Sequence, residues 1–328
     1  MAQGISINIG LNNINPAHYT VDGILKGCEN DAEFMAKLAE SRNFQVRKLI
    51  GSAANTKNVV TAITDASGLL KAGDTMLITY SGHGGQIKDS NNNEGDGFDE
   101  TWCLYDRQMI DDEMFELWTK FDEGVRILVI SDSCHSGTVT GSIGLGFSDL
   151  KWFLKNEINF ANCENKFLKL QGFNSIPVDE AVWEKDLQKL NERGIVIETY
   201  FGPRDKTLLK TVLNTVYEQN KENYDSIQKE VWKKLTLGQK KDFRELVKAS
   251  VILISACQDW QTAKDGNENS LFTSALKDVW DNGGFDGNYI QLHEQIWRRI
   301  KDRQSPNYYK VGTPDSAFEL QKAFTAIA

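Results

Sequence analysis

The chain is poor in cysteine. Its 328 residues hold five, Cys28, Cys103, Cys134, Cys163 and Cys257, an odd number with no C-x-x-C pair. That pattern argues against a disulfide framework and for reduced thiols, and it supplies no ligand spacing for a structural zinc ion. Positive charge is in deficit: 37 Lys and Arg face 46 Asp and Glu, a net −9. Such a chain repels phosphate backbones, so nucleic acid is not expected as a partner, while a local acidic pocket for a cationic substrate or metal ion stays open. No stretch approaches the roughly 20 apolar residues of a membrane span, and MAQGISINIG carries no basic leader. A cytoplasmic protein without a membrane partner is the expectation. There is no G-x-S-x-G elbow, which disfavours a serine hydrolase. Neither an internal repeat nor a low-complexity segment is visible.

What is present is an α/β pattern. ISINIGL (5–11), FQVRKLIG (44–51), DTMLITY (74–80), VRILVIS (125–131) and SVILISACQD (250–259) read as strands. Continuous apolar runs bounded by turn residues fit strands covered on both faces, as in a parallel sheet. Helical periodicity separates them. Phe34, Met35, Leu38 and Ala39 share one face, with Asn30 and Glu33 as a capping pair; Val59, Ile63 and Leu70 share another, with Thr56 as cap; Met114, Leu117, Trp118 and Phe121 share a third. SLFTSALKDVW and YIQLHEQIWRRI read as further helices. From about 141 to 250 the chain is lysine-rich and mostly helical in pattern, with IVIETYFG as one short strand. The simplest organisation is one domain over 1–328, with 141–250 a helical insertion.

Two of these strands end alike. LITYSGHGGQ (77–86) delivers His83 into a glycine-rich turn, and LVISDSCHSGT (128–138) delivers Cys134. In open α/β sheets, functional groups gather beyond the carboxyl ends of strands, so neighbouring strands would bring both residues to one crevice. An imidazole beside a thiol promotes the thiolate, and a backbone N–H from Gly82, Gly84 or Gly85, with that of Cys134, suits an oxyanion. His18 and His293 sit in ordinary helix or loop contexts and read as structural. So does His135, because side chains of neighbouring residues point apart. Zinc held by His83, Cys134 and His135 finds little support in the spacing.

YSGHGGQ and DSCHSG together resemble the paired signatures of caspase-like cysteine peptidases, closest to the metacaspases and their bacterial relatives. The 51-residue separation of His83 and Cys134 agrees with the roughly 50 residues between histidine and nucleophile in caspases. DGFDETW, IDDEM and SACQDWQTA resemble metacaspase segments in the same order, so the likeness covers about 5–141 and about 250 to the C-terminus. It implies a three-layer sandwich, a six-stranded, mostly parallel sheet with helices on both faces. It further implies Cys134 as nucleophile, His83 as general base and then proton donor, and the N–H groups of Gly84 and Cys134 as oxyanion donors. No organic cofactor is implied.

The resemblance also bears on specificity, since metacaspases cut after arginine or lysine. KGCEND resembles the segment lining their first pocket and points to Cys28 and Asp31. Ser81 and Asp132 each lie two residues before a reactive residue, so each shares a face with it. Asp31 and Asp132 would form an anionic slot for a guanidinium or ammonium group. The plain alternatives are a helix N-terminal acid at Asp31 and a turn hydrogen bond at Asp132. Asp259, beyond another strand end, would border the cleft; Cys257 reads as buried.

Residues 89–116 hold ten Asp and Glu against one Arg. Hard oxygen donors suit calcium. An EF-hand loop from Asp89 to Glu100 is disfavoured because Glu94 takes the sixth position, where that loop needs glycine. By resemblance, Asp99, Asp111 and Asp112 match three acidic calcium ligands of metacaspases, and Gly141 stands where the fourth is expected. A solvated acidic loop and helix is the alternative. The expected activity is thus a cysteine endopeptidase cutting protein or peptide substrates after Arg or Lys, calcium-activated and self-processed within the insertion. A catalytically silent interaction module and another cysteine-dependent amide hydrolase stand as the other readings.

Overall fold

The computed structural model describes residues 3–90, 98–133, 210–236, 246–256, 265–301 and 303–326. Strands β1 (Gly4–Gly10), β2 (Gln45–Ile50), β3 (Thr75–Ser81), β7 (Arg126–Asp132), β8 (Ser250–Ser255) and β9 (Asn307–Gly312) form one six-stranded sheet, in the order β2-β1-β3-β7-β8-β9. All neighbours run parallel except β8 and β9. A second, antiparallel sheet of three strands, β4 (Gly84–Lys88), β5 (Phe98–Cys103) and β6 (Gln108–Ile110), follows the turn after β3.

The continuous apolar runs acquire their meaning in the large sheet. On β3, Met76, Ile78 and Tyr80 enter one core and Leu77 the other; on β7, Ile127 and Val129 oppose Leu128 and Ile130. Strand periodicity of two therefore feeds two cores, and each buried aliphatic side chain contributes about 1.5–3 kcal/mol. Helices α3 (Thr56–Leu69), α4 (Asp111–Trp118), α5 (Lys210–Gln219) and α6 (Lys221–Thr236) cover the first face; α2 (Cys28–Ser41), α7 (Leu271–Trp280), α8 (Tyr289–Ile300) and α9 (Ser316–Leu320) cover the second. A short helix α1 (Pro16–Tyr19) precedes α2. The result is the expected three-layer sandwich. Helices α5 and α6 fall within the stretch read as an insertion, and Leu213, Val216, Tyr224, Val231 and Leu235 bury into the first core.

The helix starts differ from the sequence reading. Helix α2 begins at Cys28 after Gly27, so Asn30 and Glu33 are not its cap. Asn30 instead donates to the carbonyl of Glu268 at 2.7 Å, and Glu33 pairs with Lys48 of β2 at 2.8 Å. Helix α3 is capped by Asn55, whose side chain accepts from Asn58 N at 3.0 Å, with Thr56 the first helical residue. The short strand read at IVIETYFG lies outside the described residues. The register of the large sheet matters most for function. Gly10 pairs with Ser81, and Ser81 with Asp132, so β1, β3 and β7 end at one level. Gly10 admits α2 there: a Cβ would stand 2.5 Å from the Cys28 carbonyl oxygen.

Candidate active site

His83 follows β3 by two residues and is buried. Its ring is oriented from outside the strand. Nε2 stands 2.8 Å from the carbonyl oxygen of Gly23, which can only accept, so Nε2 carries the hydrogen and Nδ1 is the basic nitrogen. Gly23 adopts φ +53°, and a Cβ on it would come within 3.0 Å of His83 Nε2 and 2.8 Å of Ile14. Glycine here serves both the left-handed backbone and the approach to the imidazole. Nothing in the sequence marked Gly23, because its role is a carbonyl contact across 60 residues.

Gly84 opens β4. The bond from Cys103 N to His83 O, 2.9 Å, makes Gly84 and Trp102 a non-hydrogen-bonded pair of the β4–β5 ladder. The Gly84 N–H is thereby directed to the side of β4 opposite β5, where β4 is the sheet edge. That orientation suits an oxyanion donor. Cys134, one position past Ser133, lies outside the described residues, as do His135, Cys257 and Asp259.

Three of the four residues expected in the pocket meet in one network. Ser81 Oγ donates to Asp31 Oδ2 at 2.7 Å, and Asp31 Oδ1 accepts from Ser270 N at 3.0 Å and Asn269 Nδ2 at 2.9 Å. Asp132 Oδ2 accepts from Ser270 Oγ and, at 2.9 Å, from Thr273 Oγ1. Ser270 is the N-cap of α7, so two buried carboxylates converge on one helix N-terminus, where the backbone dipole favours negative charge. Cys28, fully buried, starts α2 one turn before Asp31. Ser270 is legible as a cap from its place before an apolar run; that its bonds reach Asp31 and Asp132 is decided by tertiary packing.

The flanks of the Asp89–Glu100 stretch are β4 and β5, an antiparallel pair, where an EF-hand loop is flanked by helices. Asp99, Asp111 and Asp112 are all buried. Gln228 of α6 donates to Asp99 Oδ2 and, at 2.9 Å, to the Lys88 carbonyl, while Asp111 Oδ1 accepts from Asp112 N at 2.9 Å. Their donor chemistry suits a hard cation. Among the described residues, however, no group of three His, Cys, Asp or Glu stands in an arrangement that holds a metal ion. No described helix is long and apolar enough to cross a membrane.

A histidine turn and a second strand end at one level of a six-stranded, mostly parallel sheet define a caspase-like α/β protein. A family model described as Caspase domain matches residues 13–318, and the chain belongs to that family, whose chemistry is that of cysteine-type endopeptidases. Metacaspase-1A of Aspergillus oryzae is 27% identical over 315 residues, 92% of this chain and 64% of that protein. Metacaspase-1 of Schizosaccharomyces pombe is 34% identical over 155 residues, 43% of this chain and 35% of that protein. The chain thus spans between about a third and two thirds of the length of these relatives. The crystal structure of a Geobacter sulfurreducens protein, 37% identical, superposes with a TM-score of 0.73, covering 99% of this chain and all of that one.

Proposed function

We propose that this chain is a cysteine endopeptidase in which Cys134 attacks the scissile carbonyl and His83 Nδ1 takes the thiol proton. The observation that carries the reading is the register pair Ser81 and Asp132, each two residues before one of the reactive pair. Thiolate attack forms a tetrahedral oxyanion, for which the N–H groups of Gly84 and Cys134 are the donors. Collapse gives a thioester as His83 returns the proton to the leaving amine, and water then releases the acid. The carbonyl of Gly23 holds the Nε2–H throughout, leaving Nδ1 to take and return the proton.

The substrate residue before the cut is arginine or lysine in this reading. What supports it is the pair of buried carboxylates, Asp31 and Asp132, beside the His83 turn, with Ser81 and Cys28 around them; Asp259 is assigned to the border of the cleft by the sequence likeness alone. Calcium is included as an activator outside the chemistry. Asp99, Asp111 and Asp112 supply the hard donors, and in this reading the ion takes no part in bond making or breaking. The lysine-rich stretch 141–250 offers basic cut sites for self-processing, and a nucleophilic thiol suits the reducing cytoplasm. The test is a fluorogenic peptide screen varying the residue before the cut. Turnover confined to Arg and Lys and abolished in Cys134→Ala supports the reading; preference for aspartate overturns the specificity.

A further inference from the structure

Tyr80 and Trp102 are both buried, on β3 and β5, and their rings stack with centroids 4.5 Å apart and planes at 10°. Each ring carries one polar group, which must find a partner in the interior. Tyr80 Oη donates to the His83 carbonyl at 2.6 Å and lies 3.1 Å from that of Cys103. The hydroxyl is tucked beneath the turn itself, since a Cβ on Gly82 would stand 2.6 Å from it. The other ring reaches the opposite way. Trp102 Nε1 donates to Ser131 Oγ at 3.0 Å, and Ser131 Oγ lies 3.1 Å from Ser133 Oγ, the residue before Cys134.

We infer that the Tyr80–Trp102 stack is a buried spacer that positions the His83 turn against Ser133 at the end of β7, so that both are positioning residues for the peptidase reaction. The inference rests on the proposed His83–Cys134 dyad. Nucleophile and base must stand within hydrogen-bond reach, and displacement of a reacting group by about 1 Å costs on the order of a hundredfold. The ladder between β3 and β7 and the Ser81–Asp31–Ser270–Asp132 bonds fix the two strand ends, but neither reaches the His83 carbonyl or Ser133. The stack adds a rigid link from the His83 carbonyl to Ser133 that does not pass through that ladder.

Tyr80→Phe and Trp102→Phe keep an aromatic ring and remove the hydroxyl and the indole N–H respectively. Each is expected to lower kcat about tenfold, with KM within about twofold of wild type. Each should also shift the pH midpoint of Cys134 alkylation by iodoacetamide, a quantity that thermal stability alone does not move. Should Trp102→Phe not fold, Ser131→Ala removes the acceptor of the same bond and is read in the same way. Wild-type kcat and an unmoved alkylation midpoint would overturn the inference, as would a lowered melting temperature with an unmoved midpoint. Cys134→Ala separates the two readings. Turnover retained there overturns the dyad and the spacer together; turnover abolished there, with Tyr80→Phe and Trp102→Phe at wild type, overturns the spacer alone.

Discussion

The carbonyl of Gly23 and Nε2 of His83 are hydrogen-bonded at 2.8 Å, so a loop 60 residues upstream sets the tautomer of the imidazole. Replacing Gly23 by alanine places a side chain at φ +53° and 3.0 Å from that nitrogen. Left-handed backbone alone costs about 1–2 kcal/mol for a residue with a Cβ. Gly23→Ala should therefore melt lower and lose kcat more than it raises KM. Unchanged kcat would show that the contact does not orient the catalytic ring.

The dyad should behave as a unit. Cys134→Ala removes turnover, His83→Ala is nearly as damaging, and the double variant resembles either single one, because groups acting together are not additive. Mass spectrometry of wild type against Cys134→Ala should reveal cuts within 141–250 only in the active chain. Cuts in both would assign the processing to another peptidase.

Asp132 accepts from Ser270 Oγ and Thr273 Oγ1, so its carboxylate serves the fold as well as the pocket. If it also meets the substrate cation, Asp132→Asn loses on the order of 3–5 kcal/mol in kcat/KM on arginine peptides. The ratio of arginine to uncharged substrates separates the two roles. A lower melting temperature with that ratio intact would leave Asp132 purely structural.

His18 reports the docking of α6. Its Nε2 stands 2.9 Å from Tyr224 Oη, which accepts from Gln108 N at 3.2 Å and so has its own hydrogen to give to His18. Desolvation by burial lowers the His18 pKa, against the opposing pull of Asp106 and with a contribution from Arg107. The neutral ring is the folded form, so its stabilisation is present above the unfolded value of about 6.5 and fades as pH falls through the lowered folded value. Melting temperature should fall from pH 7 to pH 5, and the fall should be shallower in His18→Asn. Identical slopes would remove His18 from the acid response.

Calcium is tested by peptidase activity in chelator against millimolar calcium. Activity should rise with the ion in wild type and rise less in Asp112→Ala. Equal wild-type activity in both buffers would leave the acidic segment structural.

The strand ends that carry the candidate site are legible in the sequence, and for a local reason. Apolar runs at Thr75–Ser81 and Arg126–Asp132 must be strands covered on both faces, and whatever follows such strands is delivered to one end of the sheet. Spacing delivers His83, Ser81 and Asp132 to strand ends, and the likeness to the caspase family sets the two strands side by side; the register pairs Ser81 with Asp132. The small sheet was missed: Gly84–Lys88 and Gln108–Ile110 have no hydrophobic alternation of their own, and pairing with β5 makes them strands. Strand β9 escaped too, since NYYKVG becomes a strand by pairing antiparallel with β8. Sequence periodicity by itself determined the layers, because burial on one face or two is written in which positions are apolar. Only tertiary structure decided that Gly23 orients His83, that Ser270 joins Asp31 to Asp132, and that Trp102 reaches Ser131. These four hydrogen bonds cross 29 to 239 residues, and no local pattern encodes which distant partner satisfies a buried polar atom.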